Sequence, residues 1–226
     1  MYPSRRSVLA SLAGVGVAGL AGCLDSVPVD GGPLTFDSAV ATVPDPTLSE
    51  TGYAEHEVEE FVVERSYEVA DRQVAVLVTN WAAEYDRAID LGDLGLPISE
   101  RIQAAVFTVV STPQVSVLGQ EFNPVAGMDS AELAETMQDR YENIGPMRQV
   151  GMETATVLGV ETEVGEFETT ARLVGTAVTI DLTLQVAAAV ESGTDLVLAV
   201  GGYPTAIAET ERPGIHRLLA EVEHAG

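Results

Sequence analysis

The chain has 226 residues, with 35 Asp and Glu against 11 basic residues that are all arginine, for a formal charge of −24 at pH 7. So strong a negative field repels nucleic acid and excludes that class of partner. It also opposes the compact state in dilute buffer, whereas at molar salt the Debye length falls to ~3 Å and most of the repulsion is screened. In this background a cluster of carboxylates reads first as a solvated face, and only with further support as a metal or catalytic site.

The N-terminus is built for export. Arg5 and Arg6 precede an uncharged apolar run from Val8 to Ala21, which ends in Leu20-Ala21-Gly22-Cys23. A basic pair, a short apolar core and small residues before a cut site form the layout of a secretory signal, and the adjacent arginines mark it as a twin-arginine signal. The run is shorter than the ~20 residues a membrane-spanning helix needs. Leu20-Ala21-Gly22-Cys23 resembles the lipobox of exported lipoproteins, which implies lipidation of Cys23, the sole cysteine, and a mature chain beginning there. The expected division is a signal peptide over 1–22, a lipidated tether over 23–33 and one domain over 34–226. The tether carries Pro28, Gly31, Gly32 and Pro33, residues of a flexible connector. Loss of Arg5 and Arg6 leaves the mature chain at about −26.

Within the domain, Leu34 to Val43 reads as a strand ended by Pro44-Asp45-Pro46, and Glu57 to Val69 and Gln73 to Trp81 as two more, joined by a turn at 70–72 into an antiparallel meander. The stretch 86–99 is loop-like. Ala104 to Val110 reads as a fourth strand, stopped by Ser111-Thr112-Pro113, with Val115 to Leu118 as its extension after a kink. Asp129 and Glu132 stand at capping-box spacing ahead of an apolar stripe of Leu133, Met137, Tyr141 and Ile144, so a helix opens there and closes at Gly145-Pro146.

Strands resume after it. Thr154 to Val164 alternates, Gly165 marks a turn or bulge, and Phe167 to Val174 continues. From Val178 to Val190 apolar and polar residues alternate strictly, the mark of a long strand with one face in the core. After a turn at 191–194, Leu196 to Val200 reads as a strand buried on both faces. Pro213 suits the first position of a last helix, whose Ile215, Leu218, Leu219 and Val222 share one face. Several strands, a helix, more strands and a helix predict an α+β fold, a mainly antiparallel sheet packed with two amphipathic helices.

Motifs for chemistry are scarce. The sequence holds no G-x-S-x-G elbow, H-E-x-x-H pair, P-loop or calcium loop, so no catalytic residue, metal ligand or cofactor is assigned. His56, His216 and His224 are too dispersed to announce a shared metal. Ser111 precedes Thr112-Pro113 where a hydroxyl caps a turn, and a hydrolase would need it within reach of His56 or His216. Contact residues are sought among aromatics near loops: Trp81 and Tyr85 beside Arg87, and Tyr203 in a Gly-Gly-Tyr-Pro turn. Arg65, Arg72 and Arg172, rare cations in an acidic chain, read as partners in surface ion pairs, with an anionic ligand as the alternative.

Arg5-Arg6, the lipobox, Ser111-Thr112-Pro113-Gln114-Val115, Phe122-Asn123-Pro124 and Gly201-Gly202-Tyr203-Pro204 together resemble an uncharacterised family of haloarchaeal lipoproteins exported by the twin-arginine route. The resemblance covers essentially the whole mature chain and implies a lipid anchor on the extracytoplasmic face of the cell membrane, without an activity. The element order is also similar to the PsbP and Mog1 type of α/β/α sandwich, which implies accessory work through contacts with proteins of the cell envelope. The expected function is therefore a non-catalytic accessory or protein-binding lipoprotein. Its alternatives are a small-ligand-binding lipoprotein with an apolar pocket near Trp81 and Tyr85, and, behind that, a hydrolase.

Overall fold

The computed structural model describes residues 32–69, 72–90, 92, 101–117, 120–121, 128–138, 145–172 and 179–226. In chain order these form β1 (Leu34–Asp37), β2 (Ala41–Thr42), α1 (Asp45–Thr51), β3 (Ala54–Val69), β4 (Arg72–Asp90), β5 (Arg101–Pro113), β6 (Ser116–Val117), β7 (Gln120–Glu121) and α2 (Ser130–Gln138). There follow β8 (Arg148–Val157), β9 (Val160–Arg172), β10 (Thr179–Ala187), β11 (Val190–Ser192), β12 (Asp195–Pro204), a 3-10 turn (Thr205–Ile207), α3 (Ala208–Ala220) and β13 (Glu223–His224).

One mixed, mainly antiparallel sheet holds β1, β3, β4, β5 and β8 to β12, with β3 and β8 at its edges. Strand β3 lies along one flank of β4 from Ala54 opposite Asp86 to Val69 opposite Arg72. The other flank is shared end to end. Strand β5 takes residues 81–90 of β4 and β1 takes 76–79, in parallel. Ser38 joins the two, its hydroxyl donating to the carbonyls of Thr79 and Ser111 at 3.1 Å each. Past Trp81, therefore, the sheet narrows to a ribbon of β1, β4 and β3 that projects from the body.

Alternation sorts the strands into two faces. Ala83, Tyr85, Phe107, Val109, Val197, Ala199 and Tyr203 join Leu48 of α1 and Ile215, Leu218 and Leu219 of α3 in the main core. Phe167, Leu184 and Val186 face the other way, toward Leu133 and Ala134 of α2. A third cluster, Leu34, Val74, Val76 and Val115, anchors the ribbon. At Gly201 α3 packs tightly on the sheet, since a Cβ there would stand 2.7 Å from Ile215 Cγ2.

Several sequence expectations change. Leu34 to Val43 is two short strands, because the carbonyl-seeking Ser38 interrupts the ladder, and a helix that the sequence reading lacked follows, with Pro46 in its first turn. The first strand pairs in parallel rather than in a meander. β4 continues to Asp90, through residues read as loop, because Tyr85 and Ile89 still point into the core. Val117 belongs to a small separate hairpin. The supposed strand over 154–164 is a hairpin instead: Leu158 and Gly159 both have positive φ, 52° and 75°, the conformation of a two-residue turn.

Gly165 stands within β9 rather than at a turn. Its missing side chain makes room for the Phe167 ring and Ser130 Oγ, which would lie 2.6 and 2.5 Å from a Cβ. The long alternating strand ends at Ala187, where Ala188 N–H turns to the Glu163 carbonyl. Pro213 lies inside α3, which starts five residues earlier on from a 3-10 turn. The described helices number three, and the stripe residues Tyr141 and Ile144 lie outside the described residues.

Candidate functional site

Asp129 Oδ1 accepts from the N–H groups of Ala131 and Glu132 at 2.9 Å, and Glu132 Oε2 accepts from Asp129 N–H at 3.0 Å. This reciprocal cap, the one the spacing announces, fixes the start of α2 over β9, where Ser130 Oγ donates to Glu163 Oε1 at 2.8 Å. Glu163 is one wall of a shallow groove of about 430 Å³ on the β8–β9 hairpin, lined also by Met152, Glu153, Thr154, Glu161 and Thr162. Among the described residues β8 pairs with β9 on one flank only. Met152 in its middle is 63% exposed, the most open of the large apolar side chains among the described residues.

The opposite side of β8 is braced by α3. Glu153 Oε1 accepts from His216 Nε2 at 2.7 Å and from Gln185 Nε2 at 2.9 Å. Gln185 is fully buried and its Oε1 has no partner. One turn earlier on α3, Arg212 Nη2 holds Glu166 at 2.7 Å, beside the buried Tyr203 hydroxyl. Burial pushes that phenol up to about 12, with Arg212 pulling the other way. A carboxylate held by an imidazole and a buried amide is fixed in position, and this fixes the groove wall from behind.

A second buried set lies under α1 and α3. Glu211, without exposure, meets Arg87 Nη1 at 2.9 Å and accepts from the Tyr53 hydroxyl at 3.3 Å. Burial raises its carboxyl above the ordinary range, against the pull of Arg87 and Tyr53. Burial also raises the Tyr53 phenol, reinforced by the charge of Glu211.

The third set contains Ser111, which pairs with His224 rather than with His56 or His216. His224 Nε2 lies 3.1 Å from Asp195 Oδ2 and 3.3 Å from Ser111 Oγ, while Nδ1 lies 3.0 Å from Ser192 Oγ. Ala39 N–H donates to the same Asp195 oxygen at 2.8 Å. In a serine hydrolase the carboxylate and the nucleophile take opposite nitrogens of the ring. Here Asp195 and Ser111 share one, Ser111 is fully buried, and the His224 side chain is 1% exposed. The set ties the chain's last residues to the sheet, where β13 pairs with β2.

The sequence-selected aromatics separate. Tyr85 and Tyr203 are fully buried, and the Tyr85 hydroxyl accepts from Val43 N–H at 2.8 Å. Neither is open to a partner, and the space beside Tyr85 is filled by Phe107, 6.4 Å between ring centres. Trp81 is half-buried where the body meets the ribbon. Arg65 and Arg172 are exposed, Arg87 pairs with the buried Glu211, and Arg72 opens β4 at the ribbon's tip. His56 lies 3.3 Å from Asp86. Among the described residues no group of three or more His, Cys, Asp or Glu is placed to hold a metal, and no helix is long and apolar enough to cross a membrane. Arg5, Arg6 and Cys23 lie outside the described residues.

The sequence profile of DUF6517, a domain of unknown function, matches residues 40–223, and the chain belongs to that family. No curated protein matches it. Among solved structures it is similar to the PsbP protein of the cyanobacterium Synechocystis (CyanoP), at 11% identity and a TM-score of 0.36, covering 91% of this chain and 98% of that one. It is also similar to LpqN, involved in cell envelope biogenesis of Mycobacterium tuberculosis, at 8% identity and a TM-score of 0.29, over 76% and 93% of the two chains.

Proposed function

We propose that this member of the DUF6517 family is a lipoprotein of the extracytoplasmic membrane face, anchored through Cys23 after twin-arginine export, that binds a protein partner without catalysis. The partner engages β8, by strand addition along its free flank. The observation that carries this reading is the combination there of an edge unpaired among the described residues and an open apolar side chain, since β8 pairs there on one flank only and Met152 is 63% exposed.

Backbone groups on a free edge supply affinity in strand addition, and alternate side chains supply specificity. Met152 offers an adaptable apolar contact, and Glu161 and Glu163 in the groove favour an extended segment with a basic residue. A ligand pocket at Trp81 and Tyr85 has little support, because Tyr85 is fully buried against Phe107. A hydrolase at Ser111 has little, because both the hydroxyl and its imidazole are sealed from solvent.

The test is capture of the full lipoprotein from its native membrane at high salt, with Met152→Glu and Val106→Glu variants compared. Val106 is an apolar residue on β5, 39% exposed and remote from the edge. The proposal expects a reproducible protein partner that Met152→Glu loses and Val106→Glu keeps. Equal retention by both, or loss from both, would contradict it.

A further inference from the structure

The geometry points to a second surface, the ribbon of β1, β4 and β3, as the part of the domain that rests on the membrane. This rests on the lipid-anchor reading and adds to it the face that the anchor brings down. Three observations meet at the ribbon.

The first is where the tether enters. Ten residues, 24–33, separate Cys23 from β1, a span of at most about 35 Å at full extension. β1 joins the ribbon with Leu34 opposite Val76 and runs toward the body, in parallel with β4. The chain therefore arrives from the end of the ribbon where Val69 pairs with Arg72, and a lipid on Cys23 holds the start of β1 within that distance of the bilayer. β8 lies at the other edge of the sheet, six strand spacings from β3, about 29 Å at 4.8 Å each. Membrane and partner thus have separate edges.

The second is exposed apolar surface on the ribbon's outer strand. Val62 is 55% exposed and Phe61 37%. They stand side by side on opposite faces of the free strand β3, across from Thr79 and Asn80. Leu77 and Trp81 lie on the face of Val62, and both are half-buried. Side chains on both faces of an edge suit a ribbon entering the headgroup layer edgewise, where the contact is shared between its faces.

The third is the ring itself. Trp81 is the sole tryptophan, placed where ribbon meets body. An indole has an apolar body and one donor, the amphipathic character of side chains at membrane interfaces. Glu60 and Glu64 flank Val62 on the same face, so contact requires the screening that molar salt provides.

The experiment uses the full chain, coupled through the thiol of Cys23 to a maleimide lipid in phosphatidylcholine–phosphatidylglycerol vesicles at molar salt, with and without bromine on the acyl chains. Chemical coupling sets the anchor whether or not cells attach a lipid. The expected result is a blue shift of Trp81 emission on anchoring and a loss of intensity of about two-fold with brominated lipid, as for an interfacial ring. Phe61→Ser with Val62→Ser should remove the quenching while the circular dichroism stays unchanged. Val62→Trp in a Trp81→Phe background should respond more strongly, being closer to the lipid. Emission from both positions that ignores bromine, with aqueous iodide reaching them equally in anchored and free protein, would overturn the inference. The mass of the Cys23 peptide from native membranes reports separately on the anchor: an unmodified thiol there would end the lipid reading, whatever the vesicles show.

Discussion

Single residues decide how this chain handles the charge it buries. Glu211 has no exposure, and its carboxyl sits above the ordinary range because burial outweighs the help of Arg87 and Tyr53. The folded state thus holds this proton more tightly than the unfolded chain does, and the stability tied to it is full below the unfolded carboxylate range and lost as pH rises through the folded value. Glu211→Gln removes that dependence. Denaturation at a series of pH values in molar salt should show the variant gaining on the natural protein as pH rises from the carboxylate range; a constant difference would mean that the carboxyl is not perturbed. His224 is the other buried polar anchor. Its loss in His224→Ala leaves Asp195 with Ala39 N–H and Thr194 as partners, and should cost about 2–4 kcal/mol, read by urea unfolding. Neither cluster was legible beforehand, since no local spacing marks Glu211 and His224 stands in the sequence only as one of three dispersed histidines. Only the register that puts Ser111 opposite Val197, two residues from Asp195, brings residues from both halves of the chain to one point.

At the level of elements, the parts specified by local chemistry were readable. Asp129 and Glu132 form the reciprocal cap that their spacing implies, and Asp129→Ala should destabilise the protein by about 1 kcal/mol in the same assay. The α3 stripe of Ile215, Leu218 and Leu219 is buried as its spacing requires. What the sequence hid was punctuation. Leu158-Gly159 carries only one glycine, and Leu158 at positive φ is a conformation that few such residues adopt, so two strands of a hairpin read as one. Gly165 and Gly201 looked like turn residues but serve close packing between layers. Gly201→Ala should therefore cost about 1–3 kcal/mol by overpacking, and Ile215→Ala beside it should recover part of that loss. Additive costs in the double variant would show that the contact is not the cause. The same misreading began a strand at Thr154 and left Met152 outside it, which is why the β8 edge went unrecognised.

For the whole molecule, composition was the most legible property and site the least. A charge of −24 with no lysine sets the medium, and unfolding midpoints should fall steeply as salt drops from molar to about 0.1 M, where the Debye length grows to ~10 Å. The sequence pointed to aromatics as contact residues, yet two of the three are core, because large rings fill interiors as readily as they meet partners. Among the described residues the two most exposed large apolar side chains, Met152 and Val62, lie instead on the edge strands β8 and β3, which no periodicity in the sequence identifies, since strand order is set by long-range pairing.

On the proposed function, β8 is the edge that meets a partner. The direct measurement is photo-cross-linking in cells from single positions of the full chain at high salt, with the probe at 152 and, for comparison, at 106. The account predicts one discrete protein adduct from position 152 and none from 106. Adducts of equal yield from both positions, or none from 152 in protein that is folded and anchored, would contradict it.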